Sequence, residues 1–166
     1  MTWVPAAPDA GSKIAVAEVS PDPFSVVAAD QVPNPYEGSD VPGEFRTLTE
    51  ALGAEQIAIT LIRVPPHSDF EQGTGHHHDT TEELYLVCRG TLTMRFGSEI
   101  RRVSAGSVAR VAPTTVRSHR NEGDEPVELW AISRRSEHND ATKVDDFWEV
   151  SPEAAQRSAG ARGEAG

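Results

Sequence analysis

Apolar and polar residues alternate with a period of two through the middle of the chain. From Thr91 to Phe96, Leu92, Met94 and Phe96 share one face while Thr93 and Arg95 share the other, the pattern of a strand with one side on a core. Gly97 and Ser98 make a two-residue hairpin turn, and Ile100 to Val103 runs back. Gln56 to Val64 is apolar almost throughout and is halted by Pro65 and Pro66, as expected of a strand covered on both faces. Glu83 to Arg89, rich in Leu, Tyr and Val, closes on Gly90. Ser107 to Val111, Val116 to Asn121 and Val127 to Ser133 complete the set, with Gly123 and Asp124 turning between the last two. Nearer the N-terminus, Ile14 to Val19 and Phe24 to Ala28 read as short strands separated by Pro21 and Pro23. Phe45 to Leu52 suits either a strand or one helical turn. Short strands with turn signals between them predict an all-β sandwich or barrel.

Length and composition bound this picture. A chain of 166 residues holds one domain. Hydrophobic residues are 37% of it, and Gly and Pro together number 25, so turns and ends are extensive. The expected organisation is a flexible N-terminus over 1–12, a barrel over 13–135, a segment over 136–150 that docks through Phe147 and Trp148, and a disordered tail over 151–166. Pro33 to Gly43 reads as a loop over the barrel mouth. A net charge of −11 argues against nucleic acid and anionic membranes as partners. No apolar run has membrane length and no signal-peptide core follows Met1, so a soluble cytoplasmic protein is expected. The one cysteine, Cys88, allows no internal disulfide and reads as a small buried hydrophobe.

The candidate chemistry lies just ahead of Glu83. His76 and His78 are two residues apart. On an extended strand such a pair points to one face with a spacing of about 7 Å, whereas on a helix the two would diverge by roughly 200°. If they act together, the segment is extended, with His77 turned the other way toward solvent. Two imidazoles and the Glu83 carboxylate form a 2-His-1-carboxylate set, a donor group suited to iron and related divalent ions. The bland alternative is a surface histidine-rich loop with acidic neighbours.

His-x-His, four residues, Glu, six residues and Gly, matched at His76, His78, Glu83 and Gly90, resembles the first signature motif of the cupin superfamily. The family's leading glycine falls on Phe70. Gly106 and Asn121 frame the second motif at the correct separation, but Ala112-Pro113-Thr114 replaces Pro-x-Gly, and Arg117 occupies the slot of the fourth metal ligand. The resemblance, covering roughly Ala54 to Ser133 with motifs at 75–90 and 106–121, implies a jelly-roll β-barrel, a divalent metal (Fe, Mn, Zn or Ni) and a homodimer; the short N-terminal strands precede it.

A guanidinium has no lone pair to give, so Arg117 is no metal ligand. Three arrangements follow. His76, His78 and Glu83 hold an ion with open positions while Arg117 grips an anionic substrate; or His119, on the same strand face but about 7 Å deeper, completes the site; or no metal binds and Arg117 pairs with Glu83. Tyr85 shares the Glu83 face and is a candidate proton donor. The expected function is a metal-dependent oxygenase or isomerase acting on a small anionic molecule. The alternatives are a ligand-binding sensor or carrier, and a metal-free epimerase with a histidine base.

Overall fold

Each apolar face read from the sequence needs a covering surface, and two antiparallel sheets supply it to one another. The computed structural model describes residues 23–136 and 138–149. Its strands are β1 (Glu44–Thr47), β2 (Ile57–Val64), β3 (Gly75–His78), β4 (Glu83–Arg89), β5 (Thr91–Phe96), β6 (Glu99–Ser104), β7 (Val108–Val111), β8 (Arg117–Arg120), β9 (Val127–Arg134) and β10 (Ala141–Val144). One sheet has the order β1-β2-β9-β4-β7 and the other β10-β3-β8-β5-β6, so strands distant in sequence lie side by side, as in a jelly roll. The core between them takes Phe45, Ile62, Val64, Tyr85, Val87, Val111, Leu129 and Ala131 from the first sheet. Leu92, Met94 and Val103 come from the second.

Gly90 sits at φ +73°, and a Cβ there would stand 2.9 Å from the Pro126 carbonyl oxygen. Backbone angle and close approach both require glycine at the end of the first motif. The side chain of Asn121, the last residue of the second motif, donates to the carbonyls of Val64, Pro65 and Glu125 and ties that corner of the barrel together.

Several expectations are corrected. Phe24 to Ala28 forms no ladder; it runs into a 3-10 turn at Ala29–Gln31. Val27 and Ala29 instead pack with Leu48 and Leu61, so the segment lies across the outer face of the first sheet rather than adding an edge to it. The ambiguous stretch divides, with β1 ending at Thr47 and a turn closing on Leu52 and Gly53. Cys88 is exposed, because β4 alternates Glu83, Tyr85 and Val87 inward with Leu84, Leu86 and Cys88 outward, and it falls at the bulge between Val87 and Arg89. β10 was not foreseen: Ala141 to Val144 carries one large apolar side chain and gains its place through the ladder to β3. Ile14 to Val19 and the two tails lie outside the described residues.

Beyond β10 the chain turns across the outer face of the second sheet. Phe147 is 3% exposed, and the Arg95 guanidinium stacks over its ring at 4.5 Å. Trp148 donates from Nε1 to the Ser118 hydroxyl at 2.8 Å and carries Arg120 over its ring. At the other end, Tyr36 from the loop before β1 meets Phe70 edge-on, and Phe70 stacks on Phe45 at 5.7 Å. Phe70, at the leading glycine's position in the motif, therefore helps to fill the barrel mouth.

Candidate metal centre

Extended geometry at β3 turns His76 and His78 into the barrel, and β4 begins with Glu83 on the facing sheet. All three are buried: His76 is 3%, His78 1% and Glu83 0% exposed. One ligand atom from each lies within 4.8 Å of the others. Nε2 of His76 and Nε2 of His78 are 3.9 and 3.8 Å from Glu83 Oε2. Two donors about 2.1 Å from one ion stand at most about 4.2 Å apart, so both separations admit a shared ion.

Carboxylates lie behind both imidazoles. His78 Nδ1 meets Asp140 Oδ1 at 2.7 Å, and His76 Nδ1 meets Glu71 Oε2 at 3.1 Å. A carboxylate at Nδ1 fixes the ring and leaves Nε2 with its lone pair for an ion. His78 Nε2 and Glu83 Oε1 are buried and have no hydrogen-bond partner among the described residues. Buried polar atoms are ordinarily satisfied, so these two call for an unseen partner. The donor set and its backing fit a divalent ion.

Arg117, paired with His76 in the β3–β8 ladder, is 1% exposed and donates from Nη2 to Glu83 Oε2 at 2.7 Å. The Tyr85 hydroxyl donates to the same oxygen at 2.5 Å and lies 3.4 Å from Arg117 Nε. The ion pair of the third arrangement therefore coexists with the three-residue cluster of the first. His119 stands apart from that cluster: its Nδ1 faces Glu71 Oε1 at 2.9 Å, and its Nε2 is buried without a partner among the described residues. A cavity of about 10 Å³, room for roughly one water, lies among Phe45, Ile62, Phe70, Glu71, His76, Tyr85 and His119. His77 points away from the barrel, partly buried, 3.5 Å from Asp79.

The charges are mutually arranged. Burial pushes the Glu83 carboxyl up, but His76 and the Arg117 guanidinium outweigh it and hold it at about 2. Burial and Arg117 lower His78 below its ordinary value, so that ring is neutral at neutral pH. For His76, burial lowers the value, but Glu71 and Glu83 pull it above the ordinary one. Burial and the Glu83 charge raise the Tyr85 phenol well above its usual range.

Glu71 and Asp140 were not singled out from the sequence. Glu71 is five residues before His76, and an acid beside Phe70 in the run leading to the motif was the available signal. Asp140 lies 62 residues after His78, and no local spacing could have marked it.

The cupin domain family matches residues 60–133. Among solved structures, an uncharacterised conserved protein with a double-stranded β-helix domain from Klebsiella pneumoniae superposes with a TM-score of 0.58 at 16% identity, covering 72% of this chain and 96% of that one. A cupin protein from Bacteroides fragilis gives 0.56 at 17% identity, with 71% and 89% covered. A sugar phosphate isomerase of the cupin superfamily from Silicibacter pomeroyi gives 0.54 at 18%, with 68% and 76% covered. No curated protein matches the sequence. Two facing sheets of this order, with the first-motif residues turned between them and the family matched across both motifs, lead to one assignment: residues 60–133 form a cupin domain.

Proposed function

We propose that His76, His78 and Glu83 hold a divalent metal ion and that the protein acts there on a small anionic organic molecule, in oxygenase- or isomerase-type chemistry. The observation that carries this reading is the pair of buried imidazoles, each with a carboxylate at Nδ1 and its Nε2 directed toward Glu83. Charge supports it as well. Glu83 is balanced by Arg117, while Glu71 and Asp140 bring two negative charges behind the histidines. A dication balances those two charges, and without one His76 is drawn toward protonation.

When bound, the ion supplies Lewis acidity or, if redox-active, a position for dioxygen. The chain's own residues do the rest. Tyr85 and Arg117 hold Glu83 Oε2, so the carboxylate does not swing. The Thr115 carbonyl oxygen accepts from Arg117 Nη1, and the guanidinium's remaining N–H capacity can meet a carboxylate or phosphate. Phe45, Phe70 and Tyr36 keep bulk water out, and a substrate enters by displacing that aromatic group. The isomerase form of the reading draws on the Silicibacter pomeroyi protein by analogy of fold alone.

A second reading, a metal-free ligand-binding cupin or epimerase-type enzyme, has the Glu83–Arg117 ion pair in its favour. Metal analysis of protein purified without an affinity tag separates the two. About one divalent ion per chain is expected, lost in His78→Ala and Glu83→Gln. Failure to retain or take up iron, manganese, zinc or nickel overturns the metal reading. The homodimer belongs to the same proposal, and the outer face of the first sheet, where Ile57, Leu84 and Val108 are exposed, is the surface for it.

A further inference from the structure

Asp140 divides its two oxygens between different tasks. Oδ2 accepts four hydrogen bonds, from the backbone N–H groups of Thr80 and Thr81 at 3.0 Å each and from their hydroxyls at 2.9 Å each. Oδ1 is left for His78 Nδ1 at 2.7 Å. The two backbone donors cannot reverse, so whatever stands at position 140 must present an acceptor to them. That fixes the side-chain orientation and makes the remaining atom an acceptor facing the imidazole. A carboxylate facing Nδ1 requires a proton there, and in the neutral ring the lone pair is then on Nε2, the nitrogen turned toward Glu83.

We infer that Asp140 is a positioning residue that sets the tautomer of His78, so the loop Thr80–Thr81 and the segment leading into β10 decide whether that histidine can bind a metal. The tautomer stands on the hydrogen-bond pattern alone; its consequence for metal affinity rests on the reading proposed above. Asp140 is 62 residues from its partner and outside both motifs.

Asp140→Asn tests this sharply, because Asn is nearly isosteric and the threonine donors dictate its orientation. Its carbonyl oxygen must take the Thr80 and Thr81 bonds, which turns the amide NH2 toward His78. Nδ1 must then accept, the proton moves to Nε2, and the nitrogen facing Glu83 loses its lone pair. In metal-free protein labelled with 15N-histidine, wild type is expected to show His78 protonated at Nδ1 and Asp140→Asn to show it protonated at Nε2. Zinc or cobalt affinity should fall about 10- to 100-fold in the variant, and Asp140→Glu should recover part of it. Thr81→Val removes one bond to Oδ2 but leaves Oδ1 on the ring, so it should lower stability without changing the tautomer.

Wild-type His78 carrying its proton on Nε2 overturns the inference, even if no variant folds. So does an Asp140→Asn protein with an unchanged tautomer and unchanged zinc affinity. A tautomer change in a protein that binds no metal upholds the inference and overturns the metal reading instead.

Discussion

The side chains of Tyr85, Arg117, His76 and His78 all converge on Glu83, and this environment sets a pH dependence. With its carboxyl held at about 2 against an ordinary 4.5, it contributes stability in full above about pH 4.5, and that contribution is lost as pH falls toward 2. A displacement of this size corresponds to about 3 kcal/mol at most. His76 has the opposite sign: its raised value favours the fold below its ordinary 6.5 and ceases to as pH rises through the folded value. Urea midpoints of metal-free protein between pH 2 and 8 should therefore fall at both ends, with the acid limb reduced in Glu83→Gln. A flat acid limb in wild type would contradict the geometry at Glu83. At this scale the sequence was legible where the chemistry is local. His76, His78 and Glu83 follow from a spacing and a period of two. The Glu71 and Asp140 contacts arise from packing between segments, which spacing does not encode. His119 is buried, and Glu71, five residues before His76, engages it rather than leaving it to the cluster.

At the scale of elements, strands with a clear period were legible almost to the residue, β4 and β5 among them. Those placed by their neighbours were not. β10 has no pattern of its own, and Phe24 to Ala28 has strand-like residues but joins no ladder, Val27 packing instead with Leu48 and Leu61. Arg95, on the polar face of β5, is 2% exposed beneath Phe147, because the segment after β10 covers that face. The segment after β10 grips the sheet at Gly75, where an added Cβ would stand 2.6 Å from the Phe147 ring and 3.0 Å from the Arg117 carbonyl oxygen. Gly75→Ala is expected to cost roughly 1–3 kcal/mol, since the ring must move and the backbone oxygen cannot easily do so. Chemical denaturation measures this, and an unchanged midpoint would show that Phe147 does not hold the position described.

For the whole molecule, the described barrel carries a polar end within an otherwise apolar interior. Arg117, Glu83, Glu71 and three histidines are all nearly inaccessible. Burying that many ionisable groups is costly unless each is paired, so ligand binding should be visible as global stability. Free zinc or manganese at about 100 times its dissociation constant adds about 2.7 kcal/mol, a rise in Tm of roughly 5–10 °C. Chelation should reverse it, and His78→Ala should abolish it. A Tm indifferent to every divalent ion tried would leave the Glu83–Arg117 pair as the interior's own solution. No helix among the described residues is long and apolar enough to cross a membrane.

The carboxylate that faces His78 lies beyond the last strand of the first sheet, and this has a bearing on biosynthesis. A nascent chain that has emerged only as far as Arg134 already contains both histidines, Glu83, Tyr85 and Arg117. It still lacks Asp140, the group that orients one of those rings. On the reading proposed here, tight binding of the ion is a late event, reached only once the tenth strand has left the ribosome and closed against the third.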